Sequence, residues 1–221
     1  MLSDLPLLSM HDVQEVFEAL AVYFHDAQIE LNYHTPYQLL IAVVLSAQST
    51  DKSVNKVTNS LFKTVKEPQD LSQYTLEELQ GIIATLGLFK TKAYALKTLS
   101  QQLIDRHQGL IPESFEHLTA LQGVGRKTAH VVLNELYNHP VIAVDTHVYR
   151  VSHRLGLSRN LNRDRVGDDL MRIVPSKHVK KAHHHLIFLG RRLCHAKSPK
   201  CESCFLSTYC QFYQSQKRSK T

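Results

Sequence analysis

Residues 121–133, LQGVGRKTAHVVL, constrain the fold of this chain more than any other stretch. Gly123 and Gly125 flank Val124, and neither carries a Cβ, so the turn is free to take positive φ and to approach another molecule closely. Thr128, Ala129, Val131, Val132, Leu133 and Leu136 then read as a helix buried on most of its circumference. With the short apolar helix 115–121 in front, the spacing predicts helix, glycine hairpin, helix. The first N–H groups of a helix have no intrahelical partner, and its dipole adds positive potential there. The hairpin residues Gly123, Val124, Gly125 and Arg126 are therefore expected to seat a DNA phosphate. The same dipole works against an ammonium in the first turn, which marks Lys127 as a candidate amine nucleophile. Alone, these residues also fit an ordinary helix start with a solvated basic end, and the rest of the chain has to decide.

The bulk properties favour a polyanionic partner. The 221 residues carry 26 Lys and Arg against 20 Asp and Glu, a formal charge of +6. The beginning, MLSDLPLLSMHD, has no basic region ahead of its apolar residues and does not look like a secretory signal. The apolar run 39–45 is too short to cross a bilayer. The expectation is a soluble cytoplasmic protein, associated with the nucleoid through DNA binding, not bound to membranes and monomeric. His183, His184 and His185 are adjacent on a helix and point in three directions, which argues against a metal site there.

Helix signals run the length of the chain, without strand-like alternation, so the fold class is all-α. Ser9 and Asp12 open a helix with Val13, Val16, Phe17, Leu20 and Phe24 inward. Thr35-Pro36-Tyr37-Gln38 reads as a cap, a first-turn proline and a capping-box partner ahead of LLIAVVLSA, a helix apolar enough for the centre of a core. The polar cluster 46–51 follows, with uncharged Gln48 placed to face a ligand, and the next helix starts near Thr50. Thr75 and Glu78 form another capping box, and Gly87 reads as the C-cap of that helix. Leu88 and Phe89 sit in a short connection beside Lys90 and Lys92, where apolar residues either pack inward or wedge into a base stack. A long helix runs to about His107. Asp145 stands at the cap of a helix that ends at Gly156; Asn162 caps another, and 179–193 forms the last.

The only cysteines, Cys194, Cys201, Cys204 and Cys210, are spaced C-x6-C-x2-C-x5-C. Four thiolates suit tetrahedral zinc or a cubane iron-sulfur cluster. Zinc ribbons usually pair two C-x2-C knuckles, and only one is present here. Lys197 and Lys200 in the six-residue loop are well placed to contact DNA phosphates.

With the hairpin lysine, the aspartate 18 residues later and this cysteine spacing together, the chain resembles the endonuclease III family of base-excision DNA glycosylases. LLIAVVLSAQSTD, LGLFKTKA, LQGVGRKTAHVVL, VIAVDTHVYR and the cysteines after GRRLC carry the resemblance, in that order. It implies two helical domains flanking a DNA-binding cleft, a six-helix barrel with the hairpin at about 29–139 and a cluster domain from 1–28 and 140–221. It implies a [4Fe-4S] cluster on the four cysteines. Lys127 and Asp145 would be catalytic, while Leu88 would wedge into the stack and Gln48 would fill the gap opposite the orphaned base. The partner implied is double-stranded DNA holding an oxidised or ring-saturated pyrimidine, or an abasic site, which a lysine Schiff base would cleave by β-elimination. Two positions depart from the pattern. Gln122 replaces a usual proline, which should loosen the approach to the hairpin, and His130 replaces a usual asparagine one turn from Lys127, where it would tune substrate or pH behaviour. A non-catalytic module that binds DNA structure and holds zinc is the competing reading.

Overall fold

The computed structural model describes residues 5–219, and among these it contains twelve helices and no strand. The chain divides into two compact units, Met1–Ile29 with His139–Thr221, and Glu30–Asn138.

The unit spanning 30–138 is built around α2 (Pro36–Leu45), in which every residue but Pro36 is buried. Against it pack α3 (Asp51–Leu61), α6 (Phe89–His107) and α8 (Arg126–Tyr137), while α4 (Pro68–Ser72) and α5 (Leu76–Ile82) pack on α6 and α7 (Phe115–Thr119) packs on α8. Thr35 caps α2 by accepting from the Gln38 backbone N–H. The Gln38 side chain does not close the expected box. It turns into the core, accepts from His34 N–H, and donates to the Phe62 and Val65 carbonyls at 3.3 and 2.8 Å, because those carbonyls follow α3 into the interior and need donors. The α5 box between Thr75 and Glu78 is present. That helix ends at Ile82 with Ile83 as its C-cap, so Gly87 is not the cap expected of it. Within α6, the stripe Lys92, Leu96, Leu99 and Leu103 is buried, and Ser100 hydrogen bonds Tyr37 of α2 at 2.6 Å.

The other unit comprises α1 (Met10–Tyr23), α9 (Thr146–Leu155), α10 (Arg163–Ile173), α11 (Ser176–Arg192) and α12 (Gln211–Arg218). Its core joins Val16, Phe17 and Leu20 of α1, with its C-cap Phe24, to Val148, Val151, Leu186 and Phe188. Leu206, between the third and fourth cysteines, is buried in the same core, and Phe205 stacks on Tyr23 with centroids 4.1 Å apart, so the cysteine segment is anchored rather than peripheral. The helix α11 begins at Ser176, one turn earlier than its apolar periodicity predicts, directly after Pro175. Along it His183, His184 and His185 are all buried; they are core residues of a long central helix. Two helices lie outside the sequence expectations. The five-residue α4 is too short to show a period, and α12 buries none of its residues. No helix among the described residues is long and apolar enough to cross a membrane.

Candidate functional site

The hairpin follows from one backbone requirement. Gly123 has φ +79°, and a Cβ there would stand 2.8 Å from the Ala95 Cβ of α6 and 3.6 Å from Val44 of α2. Positive φ and that close approach both demand glycine. Gly125 does not use that freedom: it is the extended N-cap of α8 at φ −92°. A Cβ at Gly125 would meet nothing within 4 Å, so its outward side is open to a ligand. Val124 is buried beneath the turn, whereas Arg126 and Lys127 are exposed in the first turn of α8.

Both departures from the family pattern have visible surroundings. The Gln122 backbone N–H, which a proline would lack, donates to Gln102 Oε1 of α6 at 2.7 Å. The expected loosening of the approach is thereby offset by a tie to the longest helix. His130 packs its ring against Phe115 with centroids 5.2 Å apart, and Arg126 lies over the same Phe115 ring at 5.8 Å.

The Gln48 and Leu88 segments meet. Both residues adopt left-handed backbone, φ +53° and +58°, which costs a non-glycine residue on the order of 1 kcal/mol each. A Cβ on Gly87 would lie 3.5 Å from the Gln48 carbonyl oxygen, so the two backbones are in near contact. Leu88 leaves 54% of its surface exposed, and Gln48 is exposed as well. The same helix α6 thus starts at Leu88, supports the hairpin through Ala95 and holds Gln122 through Gln102.

Asp145 lies in the other unit, as the N-cap of α9. Its Oδ1 accepts from the Val148 N–H at 2.8 Å, and the carboxylate is half-buried. Burial holds His147 below the ordinary histidine range, with Arg150 and Arg191 acting in the same sense and Asp145 opposing them. Arg150 Nη2 reaches the His147 Nδ1 at 3.1 Å. The Arg150 guanidinium also donates to the carbonyls of Gly190 and Cys194 at 3.0 and 3.1 Å. The helix that Asp145 caps is therefore fastened to the start of the cysteine segment.

All four cysteines line one cavity, walled by Leu155, Leu189, Leu193 and Pro199. Burial, reinforced by repulsion from the other three sulfurs, pushes the Cys210 thiol up to about 11. Four soft donors crowded in apolar surroundings are a donor set that iron satisfies. Arg154 Nη1 donates to Cys194 Sγ at 3.3 Å, the kind of N–H to sulfur bond that supports a cluster thiolate. Cys194, Cys201, Cys204 and Cys210 would hold the group, and the exposed Lys197 and Lys200 project from the loop between the first two. Apart from Gln48, Leu88 and the hairpin, sequence reasoning missed the supporting residues Ser49, Lys92, Gln102, Arg150 and Arg154. The one signal in the sequence is a lysine on the otherwise apolar stripe of α6.

A helical fold with this hairpin and a four-cysteine centre defines a class of DNA repair protein. The profile of the HhH-GPD superfamily base excision DNA repair protein matches residues 41–176, and that of the iron-sulfur binding domain of endonuclease III matches residues 194–210. Endonuclease III of Haemophilus influenzae is 45% identical over 83% of this chain and 87% of its own length. For endonuclease III of Bacillus subtilis the identity is 42% over 97% of both chains. The solved structure of a trapped endonuclease III–DNA covalent intermediate superposes with a TM-score of 0.91 at 43% identity, covering 96% of this chain and all of that one. The chain belongs to the endonuclease III family, whose members are bifunctional DNA glycosylases and abasic-site lyases, and its cysteine centre is a [4Fe-4S] site. The reading as a non-catalytic zinc module is thereby overturned.

Proposed function

We propose that this enzyme removes oxidised or ring-saturated pyrimidines from duplex DNA and cleaves the strand at the resulting abasic site through a Schiff base on Lys127. The observation that carries the proposal is an exposed amine in the first turn of α8, directly after a glycine hairpin whose outward side is open. Backbone N–H groups and the helix dipole at that turn suit a phosphate, which brings the sugar of the damaged nucleotide to the amine. A related structure holding an estranged adenine is in keeping with a thymine-derived lesion.

The damaged nucleotide leaves the stack, with Leu88 as wedge and Gln48 opposite the orphaned base. Lys127 Nζ forms a bond to C1′ as the C1′–N bond to the base breaks, and the base departs with a proton. Asp145, as carboxylate, stabilises the cationic sugar and takes the proton that the amine must lose. Ring opening gives the imine, whose electron withdrawal acidifies C2′–H; loss of that proton expels the 3′ phosphate, and water later releases the lysine. Lys197, Lys200, Arg126 and the hairpin backbone bind phosphates. The bound cluster supplies cross-linking of the loop, and no step of the reaction passes through it. We place the barrel at about residues 29–139 and the cluster domain at 1–28 and 140–221, and read the protein as a monomer acting on chromosomal DNA in the cytoplasm.

The test is a duplex containing one thymine glycol. Release of the free base together with a strand broken on the 3′ side of the lesion supports the reading; an intact abasic strand after base release would remove the lyase half of it.

A further inference from the structure

Lys92 is a lysine where packing alone calls for leucine. It lies on the buried stripe of α6 with only 5% of its surface exposed. Burial also holds its amine below the ordinary lysine range. An aliphatic side chain would fill the position without the desolvation cost of an amine, so the amine needs a reason of its own. Its hydrogen bonds supply one. The amine Nζ donates to Ser49 Oγ at 2.8 Å, while the backbone N–H, as at any residue in this place, makes the first helical bond of α6 to the Leu88 carbonyl at 2.9 Å. A side chain from the first turn of α6, the helix that Leu88 opens, thus grips the residue next to Gln48. Left-handed backbone at non-glycine positions persists only where the surroundings over-determine it, and both Gln48 and Leu88 have it.

We infer that Lys92 is a positioning residue that couples the Gln48 and Leu88 segments through Ser49, so that the two side chains enter the DNA stack as a unit. The inference rests on the proposed insertion of Gln48 and Leu88. It assigns Lys92 no contact with substrate; it acts through the loop geometry. The amine at Lys92 and the hydroxyl at Ser49 then belong to lesion opening in duplex DNA, and single-stranded abasic DNA, which has no stack to part, bypasses them.

The test compares Lys92→Met and Ser49→Ala with Gln48→Ala and Leu88→Ala in the cluster-loaded protein. Two quantities are read: the ratio of abasic-site cleavage in duplex to that in single strand, and the fluorescence of 2-aminopurine opposite a non-cleavable abasic analogue. Loss of a hydrogen bond to a charged donor is expected to lower the ratio by about tenfold in Lys92→Met and in Ser49→Ala, with the double variant no worse than Lys92→Met alone. The fluorescence change on binding should shrink in parallel. If Lys92→Met does not fold, Ser49→Ala carries the test, because Ser49 lies in a half-buried loop position. A normal ratio in Lys92→Met and Ser49→Ala alongside a reduced one in Gln48→Ala and Leu88→Ala would overturn the coupling and leave the insertion reading standing. A normal ratio in all four would overturn both.

Discussion

Arg154 Nη1 donates to Cys194 Sγ at 3.3 Å while the same guanidinium lies over the Phe212 ring at 4.8 Å. It also donates to the carbonyls of His195 and Ala196 at 2.6 and 3.0 Å, so a single side chain closes the turn that leads out of the first cysteine. Replacing it with methionine keeps much of the apolar contact and strands one thiolate and two carbonyls. Arg154→Met is expected to lose about 2 kcal/mol and roughly 4–8 °C in Tm. Iron should leave it faster than wild type under a chelator, measured as decay of the cluster's visible absorbance. Equal rates would show that the bond to Cys194 does not support the centre.

Gly123 and Gly125 should respond differently to the same change. Alanine at 123 meets Ala95 at 2.8 Å and must hold φ +79°, which is expected to cost about 2–4 kcal/mol. Alanine at 125 meets nothing within 4 Å and keeps an extended backbone, so its cost in stability is about 1 kcal/mol or less. Its methyl group would nonetheless stand on the open side of the hairpin. Gly125→Ala should therefore weaken binding to duplex DNA with little change in Tm, while Gly123→Ala loses both, as melting curves and DNA titrations will read.

The helices that were legible in the sequence are those in which a cap and an apolar stripe agree. Ser9, Thr35, Thr50, Thr75 and Asn162 each cap the helix they introduce, because a side-chain oxygen beside an apolar period specifies a start locally. Gly87 shows where that logic fails, since α5 stops once Leu79 and Ile83 have been buried and not at the next glycine. At the site, the hairpin, the Asp145 cap and the cysteine spacing are short-range patterns and can be read directly. The ties of Lys92 to Ser49, Gln122 to Gln102 and Arg150 to Cys194 join residues 43, 20 and 44 positions apart, and only the fold brings them together.

His185 makes stability depend on pH. Burial above all, with Lys181, His178 and His184 adding to it, lowers its pKa from 6.5 to about 4, and neither ring nitrogen has a hydrogen-bond partner. Between these values the unfolded chain binds the proton that the folded core rejects. The contribution is thus fully present above pH 6.5 and is lost as pH falls toward about 4, up to about 3 kcal/mol from this one group. His185→Leu should flatten that slope in denaturant titrations and, by removing two unpartnered polar atoms, gain about 1 kcal/mol at pH 7. An unchanged slope would mean that His185 is protonated as readily in the folded chain as in the unfolded one.

Lys197 and Lys200 are exposed on the loop between Cys194 and Cys201. If each neutralises one phosphate, the double change to alanine should reduce the slope of log K against log salt by roughly 2, with similar weakening for damaged and undamaged duplex. A loss confined to damaged DNA would instead make the pair part of lesion recognition.

The reaction turns on Lys127 as the nucleophile. Borohydride reduction of an imine fixes protein to DNA irreversibly, so the decisive measurement is trapping on a thymine glycol duplex and on a plain abasic duplex, for wild type and Lys127→Gln. A covalent adduct is expected with wild type on both, its peptide map placing the DNA on Lys127, and no adduct with Lys127→Gln. An adduct that persists in Lys127→Gln, or the absence of any adduct with cluster-loaded wild type that binds the DNA, would rule out Lys127 as the nucleophile.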